Sequence, residues 1–381
     1  RMAAARFTRH LQARADRYFP DVAADRCNVR LVWQSVRLNS QLYEFEVTGG
    51  SASHRVMVKV PFAPKHVAAD RPNGRAPAAD RPRLFPKTDP YAKGLYEYRA
   101  LDAIDAHFRS LDDRRFGTIR VFDLLPEPYT VVIEKGAAPS FLRLVRKAHG
   151  LCGRRQRGLL RDGFRHAGAW LREMHHLAPL EHTEPRNTRR DDYLAANESF
   201  FAFLNRFGAS GAFLERFQRR LGEAAVALLP ENLPLGTCHG DYAPRNLLLD
   251  RAGRVTVFDT TARWRAPIYE DVAHFLASFK MSLSQSLSGG LLPDREETAV
   301  CEEAFLQAYF DEEPVPRGIV RLFQCQLLLE RWAALVFRGR EARGVRRAAK
   351  RCRATLFEML VKRHLRAALD EAERGVSPTL T

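Results

Sequence analysis

Nowhere in this 381-residue chain do apolar residues run for the roughly 18–20 positions that a membrane-spanning helix requires. The opening residues also lack a continuous apolar segment of the secretory kind, so a cytoplasmic address is expected. Cysteine is sparse. The six residues are Cys27, Cys152, Cys238, Cys301, Cys325 and Cys352, with no C-x-x-C pair and no zinc-ligand spacing. A disulfide framework and a structural zinc site are thereby excluded as the basis of the fold, and scattered reduced thiols suit a cytosolic protein. Acidic residues are in the minority, 45 against 61 Lys and Arg, for a formal net charge of +16. Such a field draws phosphates, nucleic acid or anionic lipid. Arg is abundant along the whole chain, however, as GC-rich coding would give, so the total alone selects no partner.

What remains is an ordinary globular mix of 45% apolar and 28% charged residues, which excludes wholesale disorder, collagen and coiled coil. The length suffices for two packed lobes. Residues 2–19 read as a basic helical lead-in. Alternating runs at 29–33, 42–47 and 55–60, the last two joined by Gly49-Gly50-Ser51, predict an antiparallel meander. Residues 61–93 are rich in Pro, Ala and Arg and repeat Ala-Ala-Asp-Arg-Pro at 68–72 and 78–82, which predicts a long basic loop. A helix is expected from near Asp89, with strands at 118–125 and 129–134. Residues 135–230 read mainly as helices, and 271 to the end as helical again. The expected division is an N-terminal lobe over 1–134, carrying the 61–93 insertion, and a helical C-terminal lobe over 135–381.

One string carries chemistry: His239-Gly240-Asp241-Tyr242-Ala243-Pro244-Arg245-Asn246, followed by a hairpin and Asp259. The spacing of an Asp, an Asn five positions on and a second Asp past a hairpin suits phosphoryl transfer. Asp241 can hold and deprotonate an attacking hydroxyl, while Asn246 and Asp259 offer hard oxygen ligands to Mg²⁺. Taken alone, Asp241 would read as an exposed loop carboxylate; the three together do not.

The string H-G-D-x-x-x-x-N, hairpin, Asp resembles the aminoglycoside phosphotransferase/choline kinase-like family. That resemblance implies an α+β, two-lobed protein-kinase-like fold, with a small antiparallel-sheet N-lobe and a larger helical C-lobe. It implies Asp241 as the catalytic Asp, Asn246 and Asp259 as metal ligands, and His239 as a structural His under the loop. Lys59, in Val56-Met57-Val58-Lys59, resembles the strand Lys that reaches the ATP phosphates, and Glu97 resembles its helix partner. Val131–Gly136 resembles the hinge whose backbone, near Glu134 and Gly136, bonds adenine. Asp271 resembles the Asp that braces the catalytic loop. The phosphate turn near Ser35, Asn39 and Ser40 has no glycine, and Thr260 follows Asp259 where an aromatic is usual. The implied cofactors are Mg²⁺ and ATP, or GTP in its place.

His175-His176 suggests zinc, but no H-E-x-x-H and no partner spacing accompany it, so structural histidines are expected. The stretch 338–366 holds eleven Lys or Arg against Glu341 and Glu358. It reads either as a solvated face or as a peripheral contact with an anionic membrane. Without interleaved aromatics, nucleic acid is an unlikely partner. For the acceptor, Arg245, Arg263, Arg265 and Lys280 near the string argue against a polycation. A small-molecule hydroxyl acceptor that is neutral or anionic is expected: a sugar, a phosphorylated sugar or an envelope-lipid headgroup. The alternatives are an aminoglycoside or choline/ethanolamine-type phosphotransferase, and a nucleotide-binding pseudokinase.

Overall fold

The computed structural model describes residues 2–22, 26–37, 40–62, 89–126, 129–148, 156–207, 211–285, 295–340 and 345–374. Asn39, Cys152 and residues 63–88 of the 61–93 insertion lie outside them. Contacts divide the chain into two compact units. The first gathers Arg1–Arg75, Lys87–Pro139 and Leu247–Ala262; the second is built chiefly from Ser140–Asn246 and Arg263–Thr381.

In the first unit the predicted meander forms as β1 (Asn28–Val36), β2 (Ser40–Gly49) and β3 (Ala52–Pro61). Two later strands, β5 (Val121–Leu125) and β6 (Thr130–Glu134), complete an antiparallel sheet of order β1-β2-β3-β6-β5. Side chains on a strand alternate between faces. Val56 and Val58 of β3 therefore join Tyr43, Phe45 and Val47 of β2 on one face. Phe7, Leu11 and Tyr18 from α1 (Met2–Gln12) and α2 (Ala15–Tyr18) cover that face. The basic lead-in is thus a core element, and the Tyr18 hydroxyl donates to Asp123 at 2.8 Å. Met57 belongs to the opposite face, where Leu101 of α3 (Pro90–Ser110) packs on Ile119, Val131 and Ile133. The Asp89 side chain caps α3 by accepting from the Tyr91 N–H. The hairpin read from the sequence is β9 (Leu247–Leu249) and β10 (Val255–Val257). It turns at Asp250, and β10 also pairs in parallel with β4 (Phe116–Gly117).

The second unit is helical. Its elements are α4 (Phe141–Ala148), α5 (Arg157–His176), α6 (Arg190–Arg206), α7 (Gly211–Leu228), α8 (Tyr269–Gln285), α9 (Arg295–Phe310), α10 (Arg317–Arg340) and α11 (Val345–Arg374). A small sheet, ordered β7 (Glu184–Pro185), β11 (Trp264–Pro267), β8 (Leu235–Cys238), lies among them. Aromatic rings fill its core: Phe275 stacks on Phe305 at 4.4 Å, and Phe164 meets Phe279 edge-on at 4.6 Å. At the described end of the basic stretch, Val361 and Leu365 are buried and Lys362 pairs with Glu358 while lying over the Trp332 ring. Among the described residues, no helix is long and apolar enough to cross a membrane.

Candidate active site

The alternation that turns Val56 and Val58 to one face sends Lys59 to the face that carries α3. There Lys59 Nζ donates to Glu97 Oε1 at 2.7 Å and to Asp259 Oδ1 at 2.5 Å. Glu97 is almost fully buried, and Asp259 is 39% exposed at its side chain. Burial works against the charge on Lys59, but the carboxylates of Glu97 and Asp259 outweigh it and its pKa is raised. Burial pushes the Glu97 carboxyl up, against the pull of Lys59. Asp259 adopts a left-handed backbone conformation with φ of 65°, unusual for a residue with a Cβ and easier for Asp than for most. Thr260, in place of an aromatic, is buried, and its hydroxyl accepts the Ala262 N–H at 3.1 Å.

Ser35 and Ser40 flank the β1–β2 turn, where the Arg37 N–H donates to the Ser40 carbonyl at 2.8 Å. Glu134 ends β6, and its N–H is committed to the Arg120 carbonyl at 2.8 Å. Gly136 lies against the hairpin. A Cβ there would sit 2.3 Å from Leu248 Cδ1, so any side chain at this position would have to displace that methyl group.

In the second unit β8 delivers the chain into the loop that starts at His239. Asp271, in the first turn of α8, accepts the backbone N–H groups of His239 at 2.6 Å and Gly240 at 2.9 Å. Gly240 has φ of 83°, a conformation that a side chain would strain. His175, at the end of α5, reaches Asp271 Oδ2 at 3.3 Å through one ring nitrogen and the Tyr309 hydroxyl at 2.6 Å through the other. Although burial opposes it, these hydrogen bonds and the neighbouring imidazoles hold the Asp271 carboxyl down at about 2. Tyr242 anchors the loop from below, stacking on Trp170 at 5.7 Å and donating to the Ala167 carbonyl at 2.8 Å.

Asp241 then emerges with both oxygens engaged. The Asn246 amide N–H donates to Oδ2 at 3.0 Å, and also to the Asp241 carbonyl at 2.8 Å. Arg245 and His274 both meet Oδ1, the latter at 3.3 Å. His239, buried beneath, accepts the Asp241 N–H at its Nδ1 at 3.2 Å. With its nitrogen spent on Asp241, Asn246 has an amide oxygen that takes no hydrogen bond among the described residues. A carboxylate in Asp259 and an unspent amide oxygen in Asn246 are hard donors of the kind that Mg²⁺ prefers.

Of the cations expected near this loop, Arg245 touches Asp241. Lys280 is instead paired with Glu302 at 2.9 Å, and Arg263 lies 3.6 Å from Glu184 with its guanidinium over the Trp264 ring. Three groups linked to Asp241 escape sequence reading: His274 on α8, which touches it, and Glu330 and Arg331 on α10, which feel its charge. A signal for His274 exists, because Asp271, His274 and Ser278 follow at i, i+3 and i+7 on one helix face. Burial, reinforced by Arg331, lowers the His274 pKa to about 3, so its ring is neutral. His175, Cys238 and Asp271 bring ligand atoms within 4.8 Å of one another. Each already serves the loop or the backbone, and burial pushes the Cys238 thiol far up, which withholds the thiolate that a metal needs.

No curated protein matches the chain. Among solved structures, a Ralstonia eutropha protein named as a candidate aminoglycoside phosphotransferase aligns over 94% of this chain and 98% of its own, at 12% identity and a TM-score of 0.54. A macrolide 2'-phosphotransferase from Brachybacterium faecium covers 91% and 97% at 13% identity and 0.49. A choline kinase from Streptococcus pneumoniae covers 93% and 99% at 12% identity and 0.46. The first likeness carries the fold, which is the α+β protein-kinase-like class expected. A sequence model described as the phosphotransferase enzyme family matches residues 83–319, more than half of the chain and the whole span from Glu97 through Asp241 and Asn246 to Asp271. By that match the chain belongs to the phosphotransferase enzyme family.

Proposed function

We propose that this protein is a cytoplasmic, ATP-dependent small-molecule kinase, with GTP as the alternative donor, acting on a hydroxyl of a neutral or anionic acceptor. The observation that supports this most directly is the fixed carboxylate of Asp241, held by Asn246, Arg245 and His274 on a loop that Asp271 ties down. Bound magnesium nucleotide supplies the phosphoryl group and neutralises charge on it. Asp241 orients the acceptor hydroxyl and takes its proton as the new O–P bond forms, the bond to the β-phosphate oxygen breaks and the nucleoside diphosphate leaves. Asn246 and Asp259 hold the divalent cation. Lys59, kept charged and aimed by Glu97, meets the donor phosphates, with Ser35 and Ser40 on the strands that lead into and out of the phosphate turn. Because the Glu134 N–H is committed to the sheet, the adenine edge falls to the Glu134 carbonyl and the Gly136 N–H. His239 supports the Asp241 backbone and does no proton transfer.

A polycationic acceptor would meet Arg245 on Asp241, which favours the neutral or anionic class. The test is ADP release with Mg²⁺ and ATP across a panel of sugars, sugar phosphates, choline and kanamycin. Stimulation by the sugars or sugar phosphates is expected. Turnover of kanamycin with none of sugars or anionic metabolites would reject this acceptor class.

A further inference from the structure

Arg331 sits in the middle of α10 with no acidic partner among the described residues. Its guanidinium spends one N–H on the Ser278 hydroxyl at 2.6 Å and one on the Met281 sulfur at 3.4 Å, both neutral. A guanidinium carries five N–H donors, and a desolvated one is normally matched by a carboxylate. Ser278 lies one helical turn beyond His274 on α8, and His274 contacts Asp241, which in turn holds Arg245. One guanidinium, that of Arg245, thus pairs with the proposed base, while a second, that of Arg331, is held one helical turn from the His274 contact and meets no carboxylate among the described residues.

The charged neighbours do not relieve this imbalance. Burial and the repulsion of Arg245 lower the Arg331 pKa to about 10, against the pull of Asp241 and Glu330. Glu330 is adjacent in sequence, but burial and the nearby Glu270 raise its pKa to about 7, so its charge is only partly expressed at neutral pH. Glu270 is itself engaged by Arg186 and Asn187. His274 is neutral. While Glu330 holds its proton, the charges of Asp241, Arg245 and Arg331 sum to a net positive value.

We infer that Arg331, together with Arg245, receives an anionic group of the phosphate-monoester type carried by the acceptor close to its reacting hydroxyl. The inference rests on the kinase reading for the acceptor, and for the anion site on an unmatched guanidinium one helical turn from the residue that touches Asp241. Arg is suited to the role because its planar fork presents paired donors to phosphate, which Lys cannot reproduce. Arg245 keeps one N–H on Asp241 and has others to offer. A fixed anion on this pair would orient the hydroxyl toward Asp241 and offset the repulsion between the two guanidiniums.

The test is calorimetric titration of the full chain, saturated with Mg²⁺ and ADP so that the donor site is filled, with inorganic phosphate, glucose and glucose 6-phosphate in turn. Sedimentation with phosphatidic acid/phosphatidylcholine vesicles against pure phosphatidylcholine forms a second arm. Wild type should bind glucose 6-phosphate at least tenfold more tightly than glucose, with inorganic phosphate competing. Arg331→Met should abolish that preference and Arg331→Lys should keep only part of it. The same Arg331 dependence confined to the vesicle arm would place the anion on a lipid headgroup; confined to the soluble arm, it would place it on a small metabolite. Because Met removes an unmatched charge of similar volume, the Tm of Arg331→Met should hold or rise, whereas a structural strut would lose stability. Equal binding of glucose and glucose 6-phosphate with no vesicle preference, or a preference that survives Arg331→Met, overturns the inference. Arg331-dependent binding without ADP release from any acceptor would leave the anion site standing and remove the kinase reading instead.

Discussion

Lys59 Nζ stands 2.7 Å from Glu97 Oε1, a pairing that ties β3 to α3 across 38 positions of sequence. Most of the intervening chain is the Pro/Arg-rich insertion, so length between the partners does not loosen their geometry. Removing one member of a buried pair strands the other charge, at a cost of about 3–5 kcal/mol. Lys59→Met should therefore destabilise the protein by roughly that amount in denaturant titration, since Glu97 would be left against Asp259. An unchanged midpoint would mean that the pair is not formed in solution.

Asp271 makes the fold acid-labile in a definite window. Its folded pKa of about 2 lies below the ordinary Asp value of 3.8, so its contribution is complete above about pH 4 and drains away as pH falls toward 2. The shift is worth roughly 2 kcal/mol. Unfolding free energy measured between pH 5 and 2 should fall less steeply in Asp271→Asn than in wild type, from a lower starting value. Parallel curves would contradict the role assigned to this carboxylate.

His274 should remain neutral throughout the physiological range. Burial and Arg331 lower its pKa to about 3, although Asp241 pulls the other way. Its ring resonance in NMR should show no titration between pH 5 and 8, with Nε2 carrying the proton that faces Asp241. A titration centred near 6.5 would show that the ring is solvated and not held against the loop.

Gly136 tests the packing of the hairpin against the end of β6. Gly136→Ala puts a methyl carbon 2.3 Å from Leu248 Cδ1, an overpacking that costs about 1–3 kcal/mol. Leu248→Ala is destabilising alone but should be better tolerated in the Gly136→Ala background, a coupling that a thermal double-mutant cycle reads directly. Strict additivity would place the two residues apart.

The elements with strong local patterns were legible in the sequence. The meander, the Asp89-capped helix and the 247–257 hairpin each announce themselves through alternation or turn chemistry, and the string around Asp241 through spacing. The helical lead-in was visible as helix but not as core, because Phe7, Leu11 and Tyr18 acquire their meaning only against Tyr43 and Phe45. The surroundings of Asp241 were legible mainly where they are local. Arg245 and Asn246 follow within the same turn and His274 leaves only its spacing from Asp271, while Arg331 arrives on a helix whose packing no short-range pattern encodes. The cations around the loop are hidden from the sequence in the same way. Lys280 and Arg263 look available near the string, yet Glu302 and Glu184 meet them in space.

The central claim is that Asp241 takes a proton and Asp259 holds the divalent cation. The most direct measurement compares Asp241→Asn with Asp259→Ala in ADP release and in Mg²⁺-dependent ATP binding. The expected result is an Asp241→Asn variant that binds ATP as wild type does but turns over about 10²–10⁴-fold more slowly, and an Asp259→Ala variant that loses the Mg²⁺ dependence of ATP affinity. Equal and mild effects of both substitutions, or ADP release that survives Asp241→Asn, would contradict it.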